Sequence, residues 1–342
     1  MQFHRTVRIA RSLWWLLFLA TACRQEELSP PAELQPLPVP AHFPAPRYDF
    51  GANTPIPAGV ALGRKLFYDP ITSVDSSISC ASCHVQTLAF AHDQSISRGV
   101  GGKLGVRNSP ALQNLAWVPW FNADGGILHL DVQPLAPITD SAEHNFNLPD
   151  LFERLRRHSQ YPADFEAAFG SRTVSDRPFF LAMSQFMTQL VSASSLYDQV
   201  LTQKATFNAD QAAGYALFRT HCSSCHSEPL TSSFAFARNG HQSTTNDEGR
   251  KRVTGEPADF GKFRIPSLRN VARTAPYMHD GSLTSLDAVL DHYTQPDYPA
   301  DAPIGTGISL NSQEKTQLKA FLQSLTDPAF LQNERLRSPF QP

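Results

Sequence analysis

The sequence predicts a mainly α-helical protein built from two similar helical domains with long loops. Strand signals are few, whereas six segments show the apolar periodicity and capping residues of helices. The pattern Gly-x-x-Leu-Phe begins at Gly63 and again at Gly214, which indicates an internal repeat. The chain also has 27 prolines against 18 glycines, so much of it should be loop. The predicted helices cover 58–68, 150–170, 177–203, 209–221, 284–294 and 312–325.

Two helix starts are marked by capping residues. Asn208 or Asp210 can cap the helix that leads into the second half of the repeat. Asn311 can cap the last predicted helix, with Glu314 three residues later as in a capping box.

The composition excludes several classes of protein. Hydrophobic residues make up 41% of the 342 residues and charged residues 18%, which permits a packed core and excludes wholesale disorder. The 29 basic and 31 acidic residues give a formal net charge of -2. Because there is no basic excess, no nucleic-acid partner is expected.

The N-terminus predicts export from the cytoplasm. Residues 1–22 combine three arginines with the apolar stretch 13–20, which is too short to span a bilayer of about 30 Å. Small residues then precede Cys23, as in the lipidation site of a bacterial lipoprotein, although Ala20 stands where Leu is more usual. Ordinary secretion with cleavage nearby is the alternative. The proline-rich segment 23–57 is predicted to be an extended tether. We therefore expect a periplasmic protein that touches the membrane only through a lipid anchor on Cys23.

The other four cysteines form two identical short motifs. The stretches Cys80-Ala81-Ser82-Cys83-His84 and Cys222-Ser223-Ser224-Cys225-His226 are both C-x-x-C-H, the signature of c-type haem attachment. Two intervening residues place both thiols on one helical turn, where they can bind the two vinyl groups of a porphyrin. The adjacent histidine then lies beneath the iron. Half of a zinc site or a redox pair would be the alternative for a single C-x-x-C.

Further segments resemble the bacterial diheme cytochrome c peroxidases, a family that includes the methylamine-utilisation enzyme MauG. The segments that match are 107–112, 124–126, 130–138, 263–270 and 274–281, together with Glu143. The resemblance implies two cytochrome-c-like domains, each with one covalently bound c-type haem, facing a common interface. It implies a peroxidatic domain over 58–203, an electron-transfer domain over 204–330 and a tail over 331–342.

The resemblance also assigns roles near the first motif. His84 would be the proximal iron ligand, and Gln133 and Glu143 would be the distal pair. Cleaving peroxide requires a proton to be taken from one oxygen and delivered to the other, which a carboxyl group with a raised pKa can do. Some relatives block this iron with a histidine where this chain has Val100, so an open site is expected. His92 is an alternative blocker or else a solvated loop residue.

One nearby position has no settled role. His144 stands where the family often has Met, and it either tunes the pocket or faces away from it.

At the second motif, His226 would be the proximal ligand and the sixth ligand is the discriminating position. The count from the family motif reaches Tyr293, where MauG-like members also have Tyr. A phenolate stabilises ferric iron and lowers its potential, and a thioether does the reverse. Met278 is the competing candidate, and a third option is that neither binds the iron.

The family further holds a Ca²⁺ between the domains. The matching positions are Asn108, Thr274 and Pro276, whose amide and carbonyl oxygens are the donors that Ca²⁺ takes.

The chain departs from the family at one position. Ala123 stands where relatives have a Trp that passes electrons between the haems. Trp117 and Trp120 lie just upstream and either substitute for it or serve as packing residues.

The sequence therefore predicts a peroxidase that reduces H₂O₂ to water with electrons from a small cytochrome c or cupredoxin. A MauG-like enzyme that uses peroxide to oxidise a partner protein is the second hypothesis. A non-catalytic electron-transfer cytochrome is the third, and Gln133 and Glu143 argue against it. The peroxidase relatives suggest a homodimer.

Overall fold

The structure of the chain, a computed structural model, describes residues 39–241, 246–296, 298 and 307–340. The predicted signal peptide, Cys23 and the first part of the tether lie outside the described residues. The last part of the tether packs on the body: Phe43 is buried, and the amides of Arg47 and Tyr48 donate to the carbonyl of Ala116. None of the described helices is long and apolar enough to cross a membrane.

Helices dominate the described residues, which confirms the predicted mainly helical class. The α-helices are α1 (Pro57–Tyr68), α2 (Cys80–Cys83), α3 (Leu135–Thr139), α4 (Leu148–Arg157), α5 (Tyr161–Phe169), α6 (Asp176–Met187), α7 (Leu196–Leu201), α8 (Ala209–His221), α9 (Lys251–Thr254), α10 (Leu286–Thr294), α11 (Ser312–Ser324) and α12 (Pro328–Leu331). Short 3₁₀ turns cover Pro70–Thr72, Gln86–Leu88, Val100–Gly102, Leu115–Trp117, Leu130–Val132, Pro257–Asp259, Val271–Arg273 and Glu334–Leu336. The strands β1 (Phe236–Ala237) and β2 (Phe263–Arg264) pair antiparallel, with Phe236 opposite Arg264.

The two Gly-x-x-Leu-Phe patterns make the same helix crossing twice. On α1, a Cβ at Gly63 would lie 1.9 Å from the carbonyl oxygen of Ala182 on α6. On α8, a Cβ at Gly214 would lie 1.9 Å from the carbonyl oxygen of Gln317 on α11. Only glycine permits such close backbone contact. The repeat therefore encodes two equivalent helix pairs, α1 with α6 and α8 with α11.

Each helix pair has an apolar core of its own. In the first, Phe67 packs on Phe186 with ring centroids 5.3 Å apart. In the second, Phe218 packs on Phe321 at 4.9 Å. The buried apolar residues accordingly form two clusters, one around each pair.

The C-terminal segment returns to the first of these clusters. Phe330 and Leu336 are buried there, and the hydroxyl of Tyr68 donates to the carbonyl of Leu336 at 2.7 Å. The first part of the segment assigned to a tail, residues 331–337, thus packs against the first helix pair.

Two predicted helices are each divided in the structure. The stretch 150–170 forms α4 and α5, because Pro162 is tolerated in a first helical turn but not in the middle of a helix. The stretch 177–203 forms α6 and α7. Between them, Asp327 accepts hydrogen bonds from the amides of Ala193 and Ser194 at 2.9 Å each. Those amides would otherwise continue the helical ladder, and Ser195 then caps α7.

The predicted caps are confirmed. Asn208 rather than Asp210 accepts from the backbone amide of Gln211 at the start of α8, and Asn311 forms a capping box with Glu314 at the start of α11.

Candidate functional site: two cysteine-histidine motifs and their surroundings

The first motif is built on a single helical turn. Helix α2 runs from Cys80 to Cys83, and both cysteines are free thiols. His84 follows directly, and its Nδ1 donates to the carbonyl of Phe90 at 2.7 Å. Burial lowers the pKa of His84 to about 4, so the ring is neutral and its Nε2 carries a lone pair. This is the protonation state of a metal-binding imidazole, with its other nitrogen fixed by the protein.

The second motif repeats this arrangement at the end of α8. Cys222 and Cys225 are free thiols. The Nδ1 of His226 lies 3.2 Å from the carbonyl of Thr231 and 3.1 Å from that of Pro266. Burial lowers the pKa of His226 as well. A cavity of about 370 Å³ opens beside Cys225.

Glu143 faces the first motif. Glu143 is exposed to solvent. The surrounding protein nevertheless raises the pKa of its carboxyl group to about 7, with desolvation of the carboxylate as the larger cause and the charge of Asp140 as the second. Its charge in turn raises the pKa values of both Cys80 and Cys83. The carboxyl group therefore lies at the attachment turn, as expected for a residue of the same pocket. It makes no side-chain hydrogen bond within the part of the chain that the structure describes.

Gln133 lies at the start of the 133–146 segment, which also carries Glu143. Its side chain is half-buried, and the side-chain amide has no hydrogen-bond partner among residues 39–241, 246–296, 298 and 307–340. Helix α3 separates Gln133 from Glu143, and the carbonyls of Ala136 and Ile138 on that helix accept from the amides of Asp140 and Phe146. An amide and a carboxyl group without protein partners are thus both available to a small polar ligand.

Val100 lies directly against the Glu143 segment. The amide of Val100 donates to the carbonyl of Glu143 at 2.9 Å, and its side chain is 8% exposed. The neighbouring Gly99 allows this contact, because a Cβ there would lie 2.1 Å from the carbonyl oxygen of Ala142. The loop that carries Gly99 and Val100 therefore packs against Ala142 and Glu143. Its Val100 side chain cannot bind iron.

The two other histidines near this pocket are both held by the protein. His92 is half-buried, and its Nδ1 lies 2.9 Å from the hydroxyl of Ser97, so it is not the solvated loop residue that the sequence suggested. His144 is 3% exposed and donates through Nδ1 to the carbonyl of Thr72 at 3.0 Å. Its Nε2 lies 4.0 Å from the Sγ of Cys80. His144 thus faces the attachment turn, whereas His92 is bound within its own loop.

Tyr293 faces the second motif. Burial raises the pKa of its phenol to about 12, and the charges of Cys222 and Cys225 act in the same direction. A hydrogen bond from Asn239 opposes them by favouring the ionised form. The amide Nδ2 of Asn239 also lies 2.9 Å from the Sδ of Met278. Asn239 therefore contacts Met278 and lies near Tyr293.

The surroundings of Ala123 separate the roles of the two nearby tryptophans. Trp117 is buried, and its indole N–H donates to the carbonyl of Pro44 at 2.8 Å, as in a core residue. Trp120 is half-buried, with its ring 6.3 Å from that of Phe236. Phe236 lines the cavity beside Cys225. Of the two, only Trp120 contacts the second site.

The three residues matched to a Ca²⁺ site lie on two adjoining segments. The amide of Asn108 donates to the carbonyl of His279 at 2.8 Å, which joins its segment to the one that carries Thr274 and Pro276. The side-chain Nδ2 of Asn108 donates to two carbonyls of the 94–95 loop, so its Oδ1 is not committed by these bonds. Within the described residues, no hydrogen bond reaches the carbonyls of Thr274 and Pro276.

Sequence reasoning missed Arg264 on β2. Its Nε is fully buried and has no hydrogen-bond partner among the described residues, and burial lowers the pKa of its guanidinium to about 10. Its amide donates to the carbonyl of Ala123 at 2.7 Å. As the cross-strand partner of Phe236, it shares a sheet face with a residue of the cavity. Among the described residues no carboxylate pairs with this guanidinium, so a negative group of a ligand could do so.

These donors suit a c-type haem at each motif. Each motif offers two thiols on one turn and a neutral imidazole with a free Nε2. Arg264 supplies a cation that a haem propionate would pair with. Asn239 was also missed, because nothing in the local sequence distinguishes it from any loop asparagine.

Known proteins that are similar to this chain include enzymes with two haems. The family model described as di-haem cytochrome c peroxidase matches residues 57–206. MauG of Methylorubrum extorquens is 34% identical over 287 residues, which cover 81% of this chain and 81% of that protein. The cytochrome c551 peroxidase of Nitrosomonas europaea is 31% identical, covering 80% of this chain and 82% of that protein.

Solved structures show the same fold. A MauG-like protein associated with microbial copper homeostasis superposes with a TM-score of 0.79 at 30% identity, covering 89% of this chain and 99% of that one. The diheme peroxidase BthA of Burkholderia thailandensis has a TM-score of 0.71 at 24% identity, covering 82% of this chain and 88% of that one, and shows the fold alone. The chain therefore belongs to the family of di-haem cytochrome c peroxidases that includes MauG, and it is an oxidoreductase of that family.

Proposed function

We propose that the chain reduces H₂O₂ to water at the His84 motif, with electrons that arrive through the His226 motif. The observation that carries this proposal is Glu143, a carboxyl group with a pKa of about 7 that faces Cys80 and Cys83. An electron-transfer cytochrome without turnover would have no use for a proton carrier at that place. When bound, each haem would supply an iron that exchanges electrons, and the first would also offer a binding position to peroxide.

The chain's own residues would hold the two haems as follows. The paired cysteines of each motif would attach one porphyrin, and His84 and His226 would bind the irons through Nε2. Tyr293 would be a further ligand of the iron that His226 binds. Arg264 would pair with a propionate there.

Glu143 would move the proton that peroxide cleavage requires. At neutral pH a group with a pKa of about 7 is populated in both forms, so it can accept a proton from one peroxide oxygen and return it to the departing one. The departing oxygen then leaves as water, and two electrons and two protons complete the reduction of H₂O₂ to two waters. The side-chain amide of Gln133 has no hydrogen-bond partner in the described part of the chain. It would orient the peroxide by hydrogen bonding.

Val100 would leave the first haem open in the oxidised protein. A valine side chain offers no lone pair to iron, and its loop is already bound to the carbonyl of Glu143. Peroxide could therefore bind without a preceding reduction that displaces a histidine.

Trp120 would replace the family's Trp in the electron path. Its ring is 6.3 Å from that of Phe236, and the guanidinium of Arg250 lies 4.2 Å from the Phe236 ring and 5.7 Å from the Trp120 ring. This cluster connects Trp120 to the cavity beside Cys225, which Phe236 lines.

A second candidate function is the peroxide-dependent oxidation of a partner protein, as in the MauG relatives. The placement of Tyr293 against Cys222 and Cys225 favours it, because a phenolate ligand lowers the potential of the iron. Ala123 argues against it, since electron transfer to a partner protein would have to run through Trp120 instead of the family's Trp.

The remaining assignments rest on the family resemblance and the N-terminal sequence. We propose a Ca²⁺ held by the Oδ1 of Asn108 and the carbonyls of Thr274 and Pro276. We also propose export to the periplasm, an anchor on Cys23, a small cytochrome c or cupredoxin as electron donor, and a homodimer.

The test is peroxide consumption by the haem-loaded protein with a chemical reductant as the electron source. Two covalent haems by mass and steady loss of H₂O₂ are expected. His84→Gly should abolish turnover while the second haem keeps its spectrum. Turnover that survives in this variant would refute the assignment of the first motif as the peroxide site.

A further inference from the structure

The last part of the segment predicted to be a tether is bound to the body at both of its ends. At one end the carbonyl of Pro44 accepts a hydrogen bond from the indole N–H of Trp117 at 2.8 Å. At the other end the amide of Ile56 donates to the Oε1 of Gln185 on α6 at 3.1 Å. The chain between these two contacts carries Tyr48, whose side chain points into the body rather than to solvent alone, since it is half-buried.

Tyr48 is reached from α6 by a chain of side-chain hydrogen bonds. The Nε2 of Gln185 donates to the Oδ1 of Asn53 at 2.8 Å. The Nδ2 of Asn53 donates to the hydroxyl of Tyr48 at 2.7 Å and to the carbonyl of Leu181 at 3.1 Å. Both amide side chains are buried. Because the hydroxyl of Tyr48 accepts a hydrogen from Asn53, its own hydrogen is free for another partner.

That partner is Asp131. The hydroxyl of Tyr48 donates to the Oδ1 of Asp131 at 2.6 Å, a short distance typical of a bond to an ionised oxygen. The Oδ2 of Asp131 lies 3.8 Å from the Nδ1 of His129, which is beyond hydrogen-bond distance. The phenol is therefore the closer of these two partners, and it connects Asp131 to α6.

Asp131 lies in the turn that leads to Gln133. The 3₁₀ turn covers Leu130–Val132, and the amide of Gln133 donates to the carbonyl of Leu130 at 3.1 Å. Leu130 is buried in the first apolar cluster. Because a 3₁₀ turn repeats every three residues, Asp131 and Gln133 leave it on different sides. Tyr48 can thus hold the turn through Asp131 while the side-chain amide of Gln133 stays available to a ligand.

We propose that Tyr48 is a positioning residue of the peroxide site, which fixes the Leu130–Val132 turn through Asp131 and thereby the side-chain amide of Gln133. This inference rests on the proposed function, in which Gln133 orients the peroxide. Position matters there because a displacement of about 1 Å can cost about 10²-fold in rate. The end of the predicted tether would then be a working part of the enzyme and not only a connection.

The experiment compares Tyr48→Phe with the parent in the purified diheme protein. The variant keeps the ring but cannot donate to Asp131. The kcat/KM for H₂O₂ should fall by about 10- to 10²-fold, while the pH at which kcat/KM is half-maximal should stay the same, because Glu143 is unchanged. Hydrogen exchange of the backbone amides of residues 130–134 should become faster, since the turn has lost one of its attachments.

A double-mutant cycle shows whether Tyr48 acts through Gln133. Gln133→Ala should lower kcat/KM by at least the same factor, and adding Tyr48→Phe to it should cause no further loss. Asp131→Ala removes the other partner of the bond and should reproduce the effect of Tyr48→Phe, which keeps the test valid if one variant folds poorly. Asp131→Asn should keep most of the parent's kcat/KM, because its amide oxygen can still accept from the phenol.

Tyr68→Phe is the matched control. It also removes a phenol hydroxyl from a half-buried side chain, one that donates to the carbonyl of Leu336 at 2.7 Å, and it does not contact the turn. It should leave kcat/KM and the hydrogen exchange of residues 130–134 unchanged even if it lowers the melting temperature.

The outcomes separate this inference from the assignment on which it depends. If Gln133→Ala is slow but Tyr48→Phe and Asp131→Ala keep the parent's kcat/KM, the role of Tyr48 is refuted and the role of Gln133 stands. A full further loss on adding Tyr48→Phe to Gln133→Ala would also refute it, since Tyr48 would then act elsewhere. If Gln133→Ala itself keeps the parent's kcat/KM, the assignment of Gln133 is wrong and the role of Tyr48 falls with it.

Discussion

Replacing Glu143 by Gln tests the proton transfer on which the proposed reaction depends. The pKa of Glu143 is raised to about 7, so about half of it is ionised at pH 7 and about one tenth at pH 6. The ionised form is the base that accepts the peroxide proton. The kcat/KM for peroxide should therefore rise with pH through about 7 and level off about one unit above it.

Gln keeps the size of the side chain but cannot accept and return that proton. A positioned general acid or base typically contributes about 10²–10⁴ to the rate, so the E143Q variant should lose kcat/KM by that factor. It should also lose the acidic limb of the pH profile, because the titrating group is gone.

The assay is the initial rate of H₂O₂ consumption between about pH 5 and 9, at equal haem content. Asp140→Asn is the matched control. The charge of Asp140 is the second cause of the raised pKa of Glu143. The amide of Ala142 donates to Oδ1 of Asp140 at 2.7 Å, and the asparagine keeps an oxygen that can accept this bond. In this control the acidic limb of the kcat/KM profile should move to lower pH, and the maximal kcat/KM should be unchanged. An E143Q protein with the parent's rate and pH profile would refute the reasoning.

Three further predictions concern the open site, the electron path and the helix repeat. Val100→His should close the first haem, so that stopped-flow spectra show no reaction of the ferric protein with peroxide until it is reduced; an unchanged reaction would contradict this. Trp120→Phe should slow electron transfer between the haems, whereas Trp117→Phe should chiefly lower stability because the buried indole loses its bond to a backbone carbonyl; equal transfer rates in the two variants would argue against the Trp120 path. Gly214→Ala should cost about 1–3 kcal/mol in the free energy of unfolding, since the added Cβ meets a carbonyl of α11 at 1.9 Å, and thermal denaturation with an unchanged midpoint would show that the crossing is not tight.

The sequence predicted features whose determinants are local. The two C-x-x-C-H motifs are contiguous, so the turn geometry of the thiols follows from spacing alone. The Gly-x-x-Leu-Phe repeat, likewise contiguous, gave the helices that became α1 and α8. The caps at Asn208 and Asn311 were predictable because their partners lie three residues away.

What the sequence could not predict depends on distant contacts. Asp327 divides the long predicted helix by binding the amides of Ala193 and Ser194, more than 130 residues earlier. Asn239 contacts Met278, a side chain 39 residues away. Arg264 became a candidate only when its buried Nε proved to have no partner. Such pairings leave no trace in spacing or periodicity.

The central claim is that the His84 haem is open to peroxide in the oxidised protein, and one optical measurement tests it most directly. One equivalent of H₂O₂ is added to the fully ferric, haem-loaded protein, and the absorption spectrum is followed from milliseconds to minutes. The account predicts an immediate spectral change without any added electron, because Val100 cannot bind the iron. A spectrum that stays unchanged until one electron is supplied would contradict the account and would identify a blocking ligand, with His92 and His144 as the first residues to replace.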